Sequence, residues 1–178
     1  MKIDFVRHGQ TKNNLMGILA GHTDVPLNEE GRKQAEETAK KISDDYSMIY
    51  SSDLIRCRQT AEILNAKMKL PIRYDPRLRE RHFGSLEGKK SLDVDPTGVM
   101  REKDILHNSY DYRPFGGEYV EDVKERLFDF LSDVKKEAGE NAKILVVTHG
   151  GIIRIMHHVL KGKIPEIIHN ASVHEFEF

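Results

Sequence analysis

Arg7-His8-Gly9 follows the apolar stretch Ile3-Asp4-Phe5-Val6, so an arginine and a histidine stand together at the end of an expected strand. Such a pair can hold a phosphate against an imidazole nucleophile. Three downstream segments carry the other groups this chemistry needs: Ser52-Asp53-Leu54-Ile55-Arg56, Leu78-Arg79-Glu80 and Val147-Thr148-His149-Gly150-Gly151. A phosphoryl group in transfer spreads its charge over three equatorial oxygens, so catalysis is mostly positioning and charge stabilisation. Guanidinium suits that need, because its planar fork donates two parallel hydrogen bonds and stays charged at any working pH. Arg7 and Arg56 are the candidates. A neutral imidazole can attack phosphorus and split one displacement into two; His8 is placed to do this, with His149 as the second imidazole on the phosphate. Attack requires one ring nitrogen unprotonated and the other pinned, with nearby arginines disfavouring imidazolium.

The alkoxide of an ordinary phosphate ester leaves poorly unless it receives a proton. Glu80, after a turn at Pro76, is the candidate donor, and Glu87 lies in the same segment as its rival. Flanking Arg79 and Arg81 would favour the ionised carboxylate if they pointed inward, whereas burial and the substrate's charge would favour the acid. His82, His107, His157, His158, His169 and His174 read as surface or packing residues, and Cys57, in an apolar helical stripe, as a small core residue. No His-x-His cluster or glutamate-bracketing histidine pair has metal-ligand spacing, so neither a metal nor another cofactor is expected.

The elements that must position these groups are legible as alternating periodicities. Ile3 to Val6 and Ile144 to Val147 are nearly continuous in apolarity, as in parallel strands covered on both faces. Tyr46 to Ser51, Ile72 to Tyr74 and Val173 to Phe178 are further strand candidates. Leu54, Cys57, Ala61, Leu64 and Met68 share one face of a helix over 54–68, with Asp53 as its N-cap. Helices are also expected over 28–43 opened by Asn28, from Val120 through Val134 to a stop at Gly139, and over 151–161. Strand and helix in alternation predict an α/β fold: a single-domain, mainly parallel sheet over residues 1–178 with helices on both faces. Ligands then bind beyond the carboxyl ends of the strands, where His8, Ser52 and His149 would converge. Residues 83–117 are rich in glycine and proline around one short helix near 99–107, a segment that reads as a lid or a surface excursion.

Bulk composition narrows the classes further. A chain of 178 residues holds one well-buried core, and 38 % hydrophobic with 32 % charged residues is a globular mixture. The 28 basic and 29 acidic side chains nearly cancel, leaving no broad positive field for nucleic acid or anionic lipid. One cysteine, no apolar leader and no bilayer-length apolar run lead to an expectation of a cytoplasmic protein acting on a small molecule.

Together these motifs resemble the histidine phosphatase superfamily, which includes cofactor-dependent phosphoglycerate mutases and many small phosphatases. Phe5-Val6-Arg7-His8-Gly9-Gln10-Thr11 is similar to its opening motif, with Asn14 at the usual offset and Gly21-His22-Thr23-Asp24-Val25-Pro26-Leu27 following. Ser51-Ser52-Asp53-Leu54-Ile55-Arg56 resembles the second motif, whose arginine two residues after leucine selects Arg56 over Arg58. Leu78-Arg79-Glu80 with Phe83-Gly84-Ser85-Leu86-Glu87-Gly88 resembles the acid-bearing segment, and Thr148-His149-Gly150-Gly151 the last. The resemblance implies a phosphoglycerate mutase-like fold and a metal-independent phosphohistidine mechanism. In it His8 is the nucleophile, Glu80 the proton donor, and Arg7, Asn14, Arg56 and His149 grip phosphate. It implies a histidine acid phosphatase-like phosphoric monoester hydrolase. The segment after the acid motif is shorter than in the mutases and leads into Gly116-Gly117-Glu118, which resembles the small phosphatases. The chain also ends at Phe178, at the close of its last strand, which favours an open site. Phosphoglycerate mutase and a non-catalytic phosphate-binding regulatory module are the competing readings.

Overall fold

Continuous burial along the two most apolar strands sets the architecture. The computed structural model describes residues 1–100, 102–103, 110–165 and 167–178. Strands β1 (Lys2–Arg7), β2 (Met48–Ser51), β3 (Ile72–Tyr74), β4 (Lys143–Thr148) and β5 (Val173–Glu177) form one sheet of order β3-β2-β4-β1-β5. All neighbours are parallel except β5, which runs antiparallel to β1. Because side chains alternate across a strand, Ile3, Phe5, Ile144 and Val146 enter one apolar cluster while Val6, Leu145 and Val147 enter another. The first is closed by the long helix Val120–Ala138 and by Gly150–Lys161, through Val123, Leu127, Phe130, Ile152 and Met156. The second is closed by the helix Ile55–Leu64, through Cys57, Ala61 and Leu64. The sheet is therefore covered on both faces, as the alternation of elements predicts.

Six helices are used below: α1 (Lys12–Met16), α2 (Glu29–Ala39), α3 (Ile55–Leu64), α4 (Ser91–Val94), α5 (Val120–Ala138) and α6 (Gly150–Lys161). Asn28 caps α2 by accepting from the Gly31 amide at 2.8 Å, and Gly139 follows α5 with φ of 83°. Three boundaries differ from the sequence reading. Asp53 does not cap α3: its carboxylate takes Arg79 instead, and the Ile55 amide is met at 2.6 Å by Asp24, from a distant loop. The helix stops at Leu64 because the Asn65 side chain bonds both the amide and the carbonyl of Leu70, closing a turn; Met68 still packs against the α3 cluster. α2 ends at Ala39. Between β3 and α5 the chain runs through 3-10 turns at Pro76–Leu78 and Gly84–Leu86 and through α4. Of the helix expected near 99–107, Val99, Met100, Glu102 and Lys103 are helical, and the rest, with His107, lies outside the described residues.

Candidate active site

Strand register, read one residue past each strand, assembles the site. Arg7 of β1 pairs with Thr148 of β4, and Ser51 of β2 pairs with Val147. The next residues, His8, His149 and Ser52, therefore leave the sheet side by side. The His8 amide donates to the Thr148 carbonyl at 2.9 Å, and the two imidazoles meet edge to face with centroids 5.2 Å apart. On His8, Nδ1 donates to the Gly9 carbonyl at 2.7 Å, which leaves Nε2 as the ring's lone pair. On His149, Nδ1 accepts from Arg56 Nε at 3.3 Å, so Nε2 carries the proton toward Ser52 Oγ at 2.9 Å. Burial, then the charges of Arg56 and Arg7, hold the His8 ring well below its ordinary pKa. His149 is lowered in the same way, by burial first and then by Arg56 and His8. Both rings are neutral at neutral pH.

The cations beside them lack the usual partner. Arg56, 1 % exposed, is fixed by carbonyls: Nη1 donates to Thr23 at 2.8 Å and Nη2 to Gly21 at 2.7 Å. Arg7 donates through Nη1 to the Ile168 carbonyl, and its buried Nε has no partner among the described residues. Neither guanidinium forms an ion pair with a carboxylate among those residues. Burial pushes both below the ordinary arginine pKa. A buried cation without a counter-ion is costly, and a bound anion would relieve the cost.

Glu80 lines a cavity of about 540 Å³ with Arg7, Gly150, Gly151 and Arg154, and its charge is felt by both Arg7 and Arg56; His8, His149 and Arg56 lie behind that lining. Its carboxylate accepts from the Arg81 amide at 2.9 Å and, at the first turn of α6, from the Gly151 amide at 3.1 Å. Arg79 turns away to Asp53, and Arg81 lies over the Tyr112 ring. Glu87 does not line the cavity. It ties the loop by accepting from the amides of His22 and Phe83 and from the Thr23 hydroxyl. The family model of the histidine phosphatase superfamily (branch 1) matches residues 3–178.

The chain belongs to that superfamily. Phosphoglycerate mutase-like protein 4 of Arabidopsis thaliana is 37 % identical over 98 % of this chain and 78 % of its own length. A probable phosphatase of Schizosaccharomyces pombe is 36 % identical over 92 % of this chain and 75 % of its own. Among solved structures, mycobacterial glucosyl-3-phosphoglycerate phosphatase in complex with VO3 superposes with a TM-score of 0.85 at 30 % identity, covering 98 % of this chain and 91 % of the other.

Within this histidine phosphatase the expected residues divide. His8, His149, Arg7, Arg56 and Glu80 converge, whereas Arg58 lies outside, stacked on Tyr74. Asn14 is peripheral: its side-chain oxygen accepts from the Thr11 amide and from Asn170, capping α1, so only its amide nitrogen could reach a phosphate. Asn170 also donates to the His8 carbonyl at 3.0 Å, linking the two. Cys57 is buried as expected, but its sulfur also touches the His149 ring at 3.4 Å; burial raises the thiol to about 12, so it is not a thiolate. At Gly151 a Cβ would stand 2.2 Å from Glu80 Oε1, so a larger residue there would push the carboxylate aside. Sequence reading missed Arg154, although it lies one turn after Gly151 and so on the same helical face. It also missed Arg126, which donates to the carbonyls of Arg77, Arg79 and Glu80 and holds the acid segment from α5. No local signal marks that contact.

Proposed function

We propose that this protein is a phosphomonoesterase that hydrolyses a small phosphorylated metabolite through a phosphohistidine on His8. The observation that carries the reading is the convergence of two neutral buried imidazoles, one buried guanidinium (Arg56) and one partly buried (Arg7), neither ion-paired among the described residues, and one carboxylate at the same end of the sheet. In the first step the Nε2 lone pair of His8 attacks phosphorus while the bond to the ester oxygen breaks, and Glu80, as the acid, gives that oxygen a proton. In the second step the Glu80 carboxylate takes a proton from water, whose oxygen attacks phosphorus as the bond to nitrogen breaks. Arg7 and Arg56 hold the equatorial oxygens throughout, joined by His149 once its Nε2–H turns from Ser52 Oγ to the phosphate and by the amide nitrogen of Asn14, and no step calls on a metal.

The name of the Arabidopsis relative makes phosphoglycerate mutase the rival chemistry. Incubation with monophosphoglycerate and with an aryl phosphate separates the two: isomerisation without release of inorganic phosphate would sink the phosphatase reading. For the covalent step, quenching turnover with base should trap an acid-labile phosphoprotein in the wild type and none in His8→Ala, which should release no phosphate. Undiminished hydrolysis by His8→Ala would exclude the nucleophile.

A further inference from the structure

Beyond the phosphate-holding end, the walls of the cavity change character. Leu19, Phe83, Leu92, Val94, Met100 and Tyr112 line it, with Ile168 beside Arg7. Leu92 sits on the short helix α4 and is 74 % exposed. Apolar side chains that face a cleft instead of the core gain burial only when something apolar enters. The aromatic wall is preformed: Phe83 and Tyr112 meet at 4.8 Å, and the Tyr112 ring lies against Arg81. Of the charged lining, Arg7, Glu80 and Arg154 stand around the first turns of α6, while Arg81 lies over the Tyr112 ring and Asp95 follows Val94. A phosphate there would direct the rest of its ester toward the residues 83–100 and Tyr112.

We infer that the leaving group of the substrate is apolar, an aryl or extended alkyl alcohol, bound by the Phe83, Leu92, Val94, Met100 and Tyr112 wall. This rests on the phosphomonoesterase reading for the position of the phosphate. Each methylene that moves from water onto such a wall is worth about a fourfold gain when fully buried. A half-open cleft should return about twofold per methylene. The gain should enter through KM with little change in kcat, because the contact is equal in ground and transition states.

The test is a series of n-alkyl phosphates from ethyl to octyl, with 1-naphthyl phosphate, phosphoserine and 3-phosphoglycerate, following release of inorganic phosphate. Binding of the same compounds to His8→Ala is measured in parallel by calorimetry. kcat/KM rising steadily with chain length, with naphthyl phosphate above both carboxylate-bearing esters, is the expected result. In Leu92→Ser, a change at an exposed side chain outside both apolar clusters, the ratio of octyl to ethyl turnover should fall severalfold. A flat series, or phosphoserine or phosphoglycerate preferred, would overturn the inference while leaving the phosphatase reading intact. If no compound is hydrolysed, that reading fails alone, and tighter binding of the longer phosphates by calorimetry still supports the apolar wall while equal binding rejects it.

Discussion

At the scale of residues, the decisive property is the protonation of two rings. His8 and His149 are depressed by burial and by arginine charge, so the unfolded chain takes up protons at these rings below pH 6.5 while the folded one does not. Stability is therefore complete above about pH 6.5 and falls as pH falls below it, by up to about 1.4 kcal/mol per pH unit for each ring, until the folded pKa is reached. Urea midpoints from pH 7.5 to 5 should fall accordingly, and less steeply in His149→Asn; identical slopes would refute the assignment. For Glu80, the Gln variant should lose about 10²-fold or more on alkyl phosphates and much less on aryl phosphates, whose leaving groups need less protonation. Equal losses would remove the acid role. The convergence of these groups was legible because His8, His149, Arg7, Arg56 and Glu80 each stand in a short motif near the end of an apolar run. Asp53 misled because its carboxylate answers to Arg79, a partner 26 residues away that no local pattern announces.

At the scale of elements, α6 does two things at once. Its buried face fills the core through Ile152, Ile155 and Met156, and its first turn presents the Gly151 amide to Glu80. Gly151→Ala should displace the carboxylate and lower kcat on alkyl phosphates about 10²-fold, the pattern of Glu80→Gln, with the helix intact by circular dichroism. Full activity would show that the close approach is dispensable. Arg126 serves α5 similarly by joining three carbonyls of the acid segment to Glu118. Arg126→Met takes the donor from the Arg77 and Arg79 carbonyls, while the Glu80 carbonyl keeps His22, and should cost about 2–6 kcal/mol, at about 1–3 kcal/mol for each of the two groups that water cannot reach. An unchanged thermal midpoint would count against it. Helix periodicity located α5 and α6 from sequence because their apolar stripes are long; α3 was drawn too long because Met68 keeps the apolar spacing after Asn65 has ended the helix.

At the scale of the whole molecule, the sheet order explains why the site is stiff where it must be. β1 and β4 are covered on both faces, so the ring-bearing ends cannot shift without disturbing two apolar clusters. Phe130→Ala, at the centre of the larger one, should cost about 3–5 kcal/mol in denaturant unfolding; a loss under 1 kcal/mol would mean the core relaxes around the gap. The α/β class and its parallel sheet were readable because alternating elements allow few other packings, but the place of β4 inside the sheet was not, since pairing between distant strands leaves no mark on either.

That placement has a temporal consequence. β4 begins at Lys143 yet lies between β1 and β2, so a ribosome-bound nascent chain lacking it has no strand to join the two earlier ones and only the first of the two site imidazoles, His8. Native structure and turnover should then appear in a single late step, and refolding from urea should restore circular dichroism and phosphate release with one shared time constant.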